Sequence, residues 1–287
     1  MRRYFMGIDG GGSKTGGTLA DSAGVIRATC QAGPSSIVGA PSPESCAVLR
    51  SVMNRLCEAA DIRPKEIARV GIGLSGIDFP DEIPMQHSAL ARELSIPPAR
   101  LILVNDGIAA LWGATRAPAA VILQHGTGFT AAFRRAHGDE RLFDHLDAGH
   151  CYDLRAEALA LVARMIDGRA DVTPLKAGIL SCLGLTSDDR YAEVVYRRQM
   201  TPAQRDRLLP AIFDLAERGD PAAVLLIGCA ADDYLCTIRT MIRKTGCQAP
   251  HVVFGGGRIL PAPESFWRRL SQAVHRDWPG ATVKRPD

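Results

Sequence analysis

The sequence predicts an α/β protein in two halves, residues 1–117 and 118–287, each opening on a β-hairpin with glycines at its tip. Three observations carry this. An apolar run, Met6-Gly7-Ile8-Asp9, meets Gly10-Gly11-Gly12-Ser13-Lys14-Thr15 and returns through Gly16-Gly17-Thr18-Leu19-Ala20. The same succession recurs as Ala120-Val121-Ile122-Leu123-Gln124, His125-Gly126-Thr127-Gly128 and Phe129-Thr130-Ala131-Ala132-Phe133-Arg134. Finally, two short apolar strands end on polar or glycine-rich turns: 101–104 on Asn105-Asp106, and 251–254 on Gly255-Gly256-Gly257-Arg258. The carboxyl ends of such strands are where α/β sheets present groups to a ligand.

The chain has 287 residues, a length that suits two modest cores better than one. Hydrophobic residues make up 46% and charged residues 23%, the balance of a soluble globular protein. The formal charge of +3 comes from 34 basic and 31 acidic residues dispersed along the chain. No basic run is interleaved with aromatics, so the footprint of a nucleic-acid partner is missing. No apolar run reaches the ~18 residues of a membrane span, and the first residues enter a strand rather than a signal segment. A cytoplasmic protein without a membrane partner is expected. The eight cysteines contain no Cys-x-x-Cys pair and read as reduced, mostly buried residues.

Taken in order, Ala28 and its neighbours complete the first hairpin region, and Gly33-Pro34-Ser35-Ser36 is a loop. Ser42 and Pro43 fit the N-cap and first position of a helix running to about Ala60, with Val48, Val52, Leu56 and Ala59 on its inner face. Residues 69–74 form a buried strand ending in Ser75-Gly76-Ile77-Asp78. A helix over 84–94 and the strand 101–104 follow, then a helix from Gly107 to Thr115. Pro118 marks the boundary between the halves. Beyond the second hairpin, 152–166 reads as a helix, and 174–218 as helices broken near Gly184 and Pro202. Gly219-Asp220-Pro221 caps a long helix to about Lys244.

The first glycine stretch has the chemistry of a phosphate cradle. Glycines admit backbone N–H groups close to phosphate oxygens, Ser13 and Thr15 add donors, Lys14 adds charge, and Asp9 can hold Mg²⁺ through water. It is not a P-loop, because Ile8 and Ser13 stand where glycines are required. Nor is it a dinucleotide fingerprint, because a strand follows it instead of a helix. Two such hairpins in one chain would clamp the two ends of a triphosphate.

With these residues assembled, the chain resembles the BadF/BadG/BcrA/BcrD ATPase and N-acetylglucosamine kinase family of the actin-like ATPase superfamily. The likeness rests on Gly7 to Thr15, Gly73-Leu74-Ser75-Gly76-Ile77-Asp78, Leu103 to Ala110, Gly126-Thr127-Gly128 and Val253 to Gly257, and runs from Met6 to about Leu260. It implies two ribonuclease H-like domains with a nucleotide cleft between them, and an ATP-dependent kinase acting on a sugar or amino sugar hydroxyl. It implies that Asp9 sits in the Mg²⁺ shell and that Gly11, Gly12, Ser13, Lys14 and Thr15 contact the β and γ phosphates. Gly126, Thr127 and Gly128 form the second phosphate loop, and Gly255, Gly256 and Gly257 lie against the adenosine. Asp106 is the base toward the sugar hydroxyl, with Ser36, Gly76, Asp78 and Asp147 also on the substrate. Asp147 reads equally as a cap of the following helix.

Several positions depart from that pattern. The family's Ser-Gly-Thr-Gly-Ser loop is here His125-Gly126-Thr127-Gly128-Phe129, with His125 available to donate to phosphate or Phe129 to turn into the core. The segment around Asp147 lacks the family's Glu and Ser, Ser36 replaces an Asn, and the further C-terminal helix usual in relatives is absent. Two alternatives therefore stand beside the kinase: a nucleotide- or sugar-binding pseudoenzyme, and an activator ATPase of a dehydratase or aryl-CoA reductase. The second would need cluster-binding cysteines, for which Cys151 and Cys182 are the candidates. His125, His137, His145, His150 and Cys151 match no metal-ligand spacing. Apolar residues on the helices would serve equally as core or as a homodimer interface.

Overall fold

The computed structural model describes residues 3–126, 128–143 and 152–285. Two five-stranded sheets carry the fold. In the first, β1 (Tyr4–Gly10), β2 (Thr15–Asp21) and β3 (Ile26–Ala32) form an antiparallel meander, and β4 (Ile67–Leu74) and β5 (Leu101–Asn105) add in parallel on the other side of β1. The second repeats the plan with β6 (Ala120–His125), β7 (Phe129–Arg134), β8 (Glu140–Leu142), β9 (His251–Gly255) and β10 (Thr282–Lys284). The orders β3-β2-β1-β4-β5 and β8-β7-β6-β9-β10 are the same topology twice.

Helix α1 (Pro43–Ala59) covers β1 to β3, with Leu49, Val52 and Leu56 buried. Its N-cap is Ser42, whose Oγ accepts from Ser45 N at 3.1 Å, with proline in the first turn. Helix α2 (Ile83–Glu93) packs on β5. Helix α3 (Asp106–Ala114) leaves the end of β5 and touches strands of both sheets. The second core gathers α4 (Leu154–Ile166), α5 (Pro174–Leu183), α6 (Tyr191–Tyr196), α7 (Pro202–Glu217), α8 (Pro221–Thr245) and α9 (Glu264–Asp277). By length and composition α8 could cross a membrane, but half of its apolar window lies inside the protein. It is the central helix of the second core.

The sequence reading needs three corrections here. Residues 264–277 form a strongly amphipathic helix on α8 that the periodicity search left unassigned, and β8 and β10 are edge strands of three residues each. The residue that caps α3 is Asn105, whose Oδ1 accepts from Gly107 N at 2.7 Å; Asp106 is the first helical residue.

The far end of α3 is held by a buried arginine. Arg134, at the end of β7, is 1% exposed. Its Nη1 donates to Thr115 O at 3.2 Å and Ala117 O at 2.7 Å, and its Nε to Glu140 Oε1 at 2.8 Å. The guanidinium carbon stands 3.5 Å from the centroid of the Trp112 ring, a cation–π contact. One side chain thus ties the exit of α3 to β7 and β8. Arg134→Met is expected to lower unfolding free energy by about 2–3 kcal/mol, because Glu140 and two buried carbonyls lose their donor. Arg134→Lys should recover only part of this, since a point charge cannot reproduce the fork. Urea unfolding of the three proteins measures both.

Candidate active site

Strand alternation decides which side chains reach the site. On β1, Ile8 points to the α1 core, while Phe5, Gly7 and Asp9 face the other way. Asp9 pairs with Gly73 on β4, and a Cβ on Gly73 would meet Ala109 Cβ at 2.4 Å and Asp106 Cα at 3.6 Å. The α3 N-terminus therefore lies directly on the strand beside Asp9. On its other flank, a Cβ on Gly107 would lie 2.4 Å from Thr130 Cγ2, next to the second glycine loop. Both approaches require glycine. Asp106 takes part in the first contact and stands one residue before the second, between β4 and the second hairpin.

Asp9 is exposed on the floor of a groove of ≈ 650 Å³, bounded by Gly16, Gly17, Thr18 and Cys30. Protein atoms still crowd it, and desolvation raises its carboxyl above the usual aspartate range, with the nearby Lys14 charge acting in the opposite sense. Gly11 N donates to Lys14 O at 3.0 Å, closing the first loop, and Gly11 O accepts from Ser35 N and Ser36 N at 3.2 and 3.3 Å. Gly12, Ser13 and Lys14 are exposed. Thr15 differs from the expectation of a phosphate contact: its side chain is fully buried, and its hydroxyl donates to Gly33 O at 2.7 Å and lies 2.7 Å from Ser35 Oγ. This side chain ties the loop to its neighbour and does not face a ligand.

Asp78 and Asp106 are joined through Asn105, which the sequence reading did not single out. Asn105 is 4% exposed; its Nδ2 donates to Asp78 Oδ1 at 2.8 Å while its Oδ1 caps α3. Asp106 Oδ1 also accepts from Gly107 N at 3.0 Å. The available signal was an asparagine at the end of an apolar strand, a strong N-cap type.

The second loop is held differently from the first. His125 lies on the face of β6 shared with Val121 and Leu123, turned toward α8, and its Nδ1 shares a hydrogen bond with the Tyr234 hydroxyl. Phe129 turns to the same core and stacks on Tyr234 at 6.2 Å and 15°. Burial, and the Arg258 charge after it, hold the His125 imidazole down at about 4, so it is neutral at pH 7. A hydrogen bond from His125 to phosphate would then come from the neutral ring. The third glycine turn is seated on this loop: a Cβ on Gly256, whose φ is +94°, would meet His125 C at 2.4 Å, and Arg258 N donates to His125 O at 2.9 Å. Gly255 pairs with Gln124, and Gly257 is exposed. Gly126 N donates to Gly128 O at 2.9 Å.

Thr127, His145, Asp147, His150 and Cys151 lie outside the described residues. Asp153 caps α4, accepting from Arg155 N and Ala156 N. Among the described residues no three His, Cys, Asp or Glu side chains form a metal cluster. Cys182 is buried with its thiol against Arg207 O, so it offers no surface ligand for a cluster shared between subunits.

The model of the BadF/BadG/BcrA/BcrD ATPase family matches residues 6–285, past the last motif and through α9 and β10. An N-acetylmuramic acid/N-acetylglucosamine kinase of Clostridium acetobutylicum is 25% identical over 264 residues, which cover 90% of this chain and 86% of the relative. An N-acetyl-D-glucosamine kinase of Dictyostelium discoideum is 26% identical over 300 residues, covering 98% and 93%. The crystal structure of a provisionally named N-acetylglucosamine kinase from Chromobacterium violaceum superposes with a TM-score of 0.68 at 26% identity, covering 96% of this chain and 99% of the other. A ROK hexokinase from Thermus thermophilus shares the fold at 19% identity, with a TM-score of 0.58.

The buried neutral imidazole carries a pH prediction. His125 binds a proton at about 4 when folded and at 6.5 when unfolded, so stability is full above pH 6.5 and falls as pH drops toward 4. The loss across that window is about 3 kcal/mol. His125→Gln should lack this component, seen as a flatter profile of urea midpoints between pH 6.5 and 4.

Proposed function

The chain belongs to the BadF/BadG/BcrA/BcrD ATPase family, and from that premise we propose that it is an ATP-dependent kinase of an amino sugar related to N-acetylglucosamine. One observation supports the chemistry most directly: Asp106 opens a helix seated between β4, the strand paired beside Asp9, and the hairpin that carries the second glycine loop. A carboxylate there sits between the places where the two loops would hold a triphosphate. The two curated relatives named above are both kinases of N-acetylated amino sugars, which supports the substrate class.

In this reading, Gly11, Gly12, Ser13 and Lys14 bind and orient the β and γ phosphates, with Gly126 to Gly128 on the opposite jaw and the 255–257 turn against the adenosine. Ser36, Gly76 and Asp78 line the sugar side, and the family pattern assigns Asp147 to the sugar as well. Asp106 accepts the proton of the acceptor hydroxyl as its oxygen attacks the γ-phosphorus. The bond from γ-phosphorus to the bridging oxygen breaks, and ADP leaves. The hydrogen bond from Gly107 N fixes the Asp106 carboxyl in orientation.

Mg²⁺ fits Asp9. A carboxylate at the floor of an open groove, outside any cluster of three or more ligand side chains among the described residues, suits an ion that keeps most of its waters and takes phosphate oxygens. When bound, the ion neutralises phosphate charge. Asp9 itself would hold it, directly or through water.

Asp106→Asn should reduce kcat by about 10²–10⁴-fold with an unchanged KM for ATP, measured by ADP release with N-acetylglucosamine, N-acetylmuramic acid and glucosamine. Turnover of none of these sugars by the parent protein, or parental kcat in Asp106→Asn, would rule out the proposal. Asp9→Asn should abolish the Mg²⁺-dependent part of the thermal stabilisation by ADP. Its melting point without ligand at pH 7 should not fall. A carboxyl whose folded value is raised costs stability once ionised, and asparagine removes that cost.

A further inference from the structure

Gln86 is wholly buried on α2, a position where its neighbours on the same face, Leu90 and Ala91, are apolar. Buried amides are kept when their hydrogen bonds do something that packing cannot. The Gln86 Nε2 donates to Gly39 O at 2.9 Å and Gly76 O at 3.1 Å, with Glu82 Oε2 at 3.3 Å. The first two acceptors belong to different loops, 47 and 10 residues away in sequence. Gln86 Oε1 meets no hydrogen-bond partner among the described residues. A leucine or methionine would fill the space and remove the unpaired side-chain oxygen, but it would take the donor from Gly39 O and Gly76 O, so what the glutamine adds over an apolar side chain is the link between those two carbonyls.

The two loops that it joins are already locked to the first glycine loop. Ser75 N donates to Gly10 O at 2.9 Å, Ser36 N to Gly11 O at 3.3 Å, and Ile37 N to Ser75 O at 3.0 Å. Gly76, at φ +98°, lies so close that a Cβ would come within 1.9 Å of Ile37 O. Ser36 belongs to one loop, and Gly76 and Asp78 to the other. The backbone bonds fix where the loops meet the phosphate cradle. Beyond those bonds, the amide nitrogen of Gln86 links Gly39 O of one loop to Gly76 O of the other.

We propose that Gln86 is a positioning residue for the acceptor half of the site: it holds the Ser36 loop and the Gly76–Asp78 turn at the spacing that admits the sugar. It acts on sugar affinity and leaves nucleotide affinity unchanged, because the phosphate cradle keeps its own backbone bonds. The inference rests on the kinase reading above.

The test is steady-state kinetics of the full chain and of Gln86→Leu, Gln86→Met and Gln86→Glu, varying sugar and ATP separately. Leu and Met keep the volume and remove the donors. They should raise the sugar KM about tenfold or more with the ATP KM within twofold, whether the melting point falls or rises. Two variants of different shape guard against one that misfolds. Gln86→Glu turns a carboxylate toward both carbonyls, and protonation returns one donor; its sugar KM relative to the parent should fall at least threefold from pH 8 to pH 6. A purely structural role would move both KM values together and give no such pH trend. If the parent turns over no sugar, the kinase reading fails and takes this inference with it. If the parent is active and the variants leave the sugar KM within twofold, or raise both KM values alike, only the inference fails.

Discussion

The seating of α3 between the two sheets is the constraint on which the rest of the site depends. A nine-residue helix touches β4 and β5 on one side and β6 and β7 on the other, and both approaches are too close for a Cβ at the contact. Gly73 lets it down onto the first sheet, and Gly107 lets the second hairpin come up to it. Interiors pack at the density of organic crystals, so a helix this tightly enclosed has little positional freedom. Asp106 inherits that rigidity as the first residue of the helix. At the other end, Arg134 fixes the exit, so α3 is pinned at both termini by groups from the chain on either side of it.

The two glycine loops solve the same problem from opposite directions. The first is stitched at its front to the neighbouring loops by Gly11 O and the Thr15 hydroxyl. The second is held from behind, where His125 and Phe129 both lean on Tyr234. The two replacements that distinguish this loop from the family pattern thus share one partner and form one packed unit. Two hydroxyls of the family pattern give way there to side chains that hold the two ends of the loop against an aromatic cluster, and a held backbone is what a phosphate loop needs most.

Much of this was legible in the sequence because it depends on local periodicity and glycine spacing. Both hairpins, the strand ending at Asn105 and the long helix from Pro221 follow from patterns a few residues long, and the capping of α1 by Ser42 was read correctly. What escaped depends on partners far apart in the chain. Tyr234 lies 109 residues from His125, and nothing near either marks the pair. Gln86 looks like an ordinary polar residue on an amphipathic helix until its carbonyl partners 47 and 10 residues away are known. Thr15 was assigned to phosphate by its place in the motif, but a strand's alternation turns it to the core. The helix over 264–277 was passed over even though its polar and apolar faces are sharply divided.

The two halves share one topology, but their side chains differ, and in the kinase reading that difference places the chemistry on one of them. Both sheets have the same strand order; among the described residues the first sends a carboxylate, Asp9, from its first strand and another, Asp106, from the start of the helix after its last. At the place of Asp9 the second sheet carries Gln124, paired beside Gly255, and the next residue, His125, is neutral against Tyr234. A transfer of a charged phosphoryl group needs carboxylates where the proton and the cation go, and their absence where the nucleotide lies. Negative charge on both jaws would repel a triphosphate. By this logic the first half owns the reacting atoms and the second half presents the donor. Substitutions around Tyr234 and Gly256 should therefore be felt in the affinity for nucleotide, and substitutions around Asn105 in the rate of the chemical step.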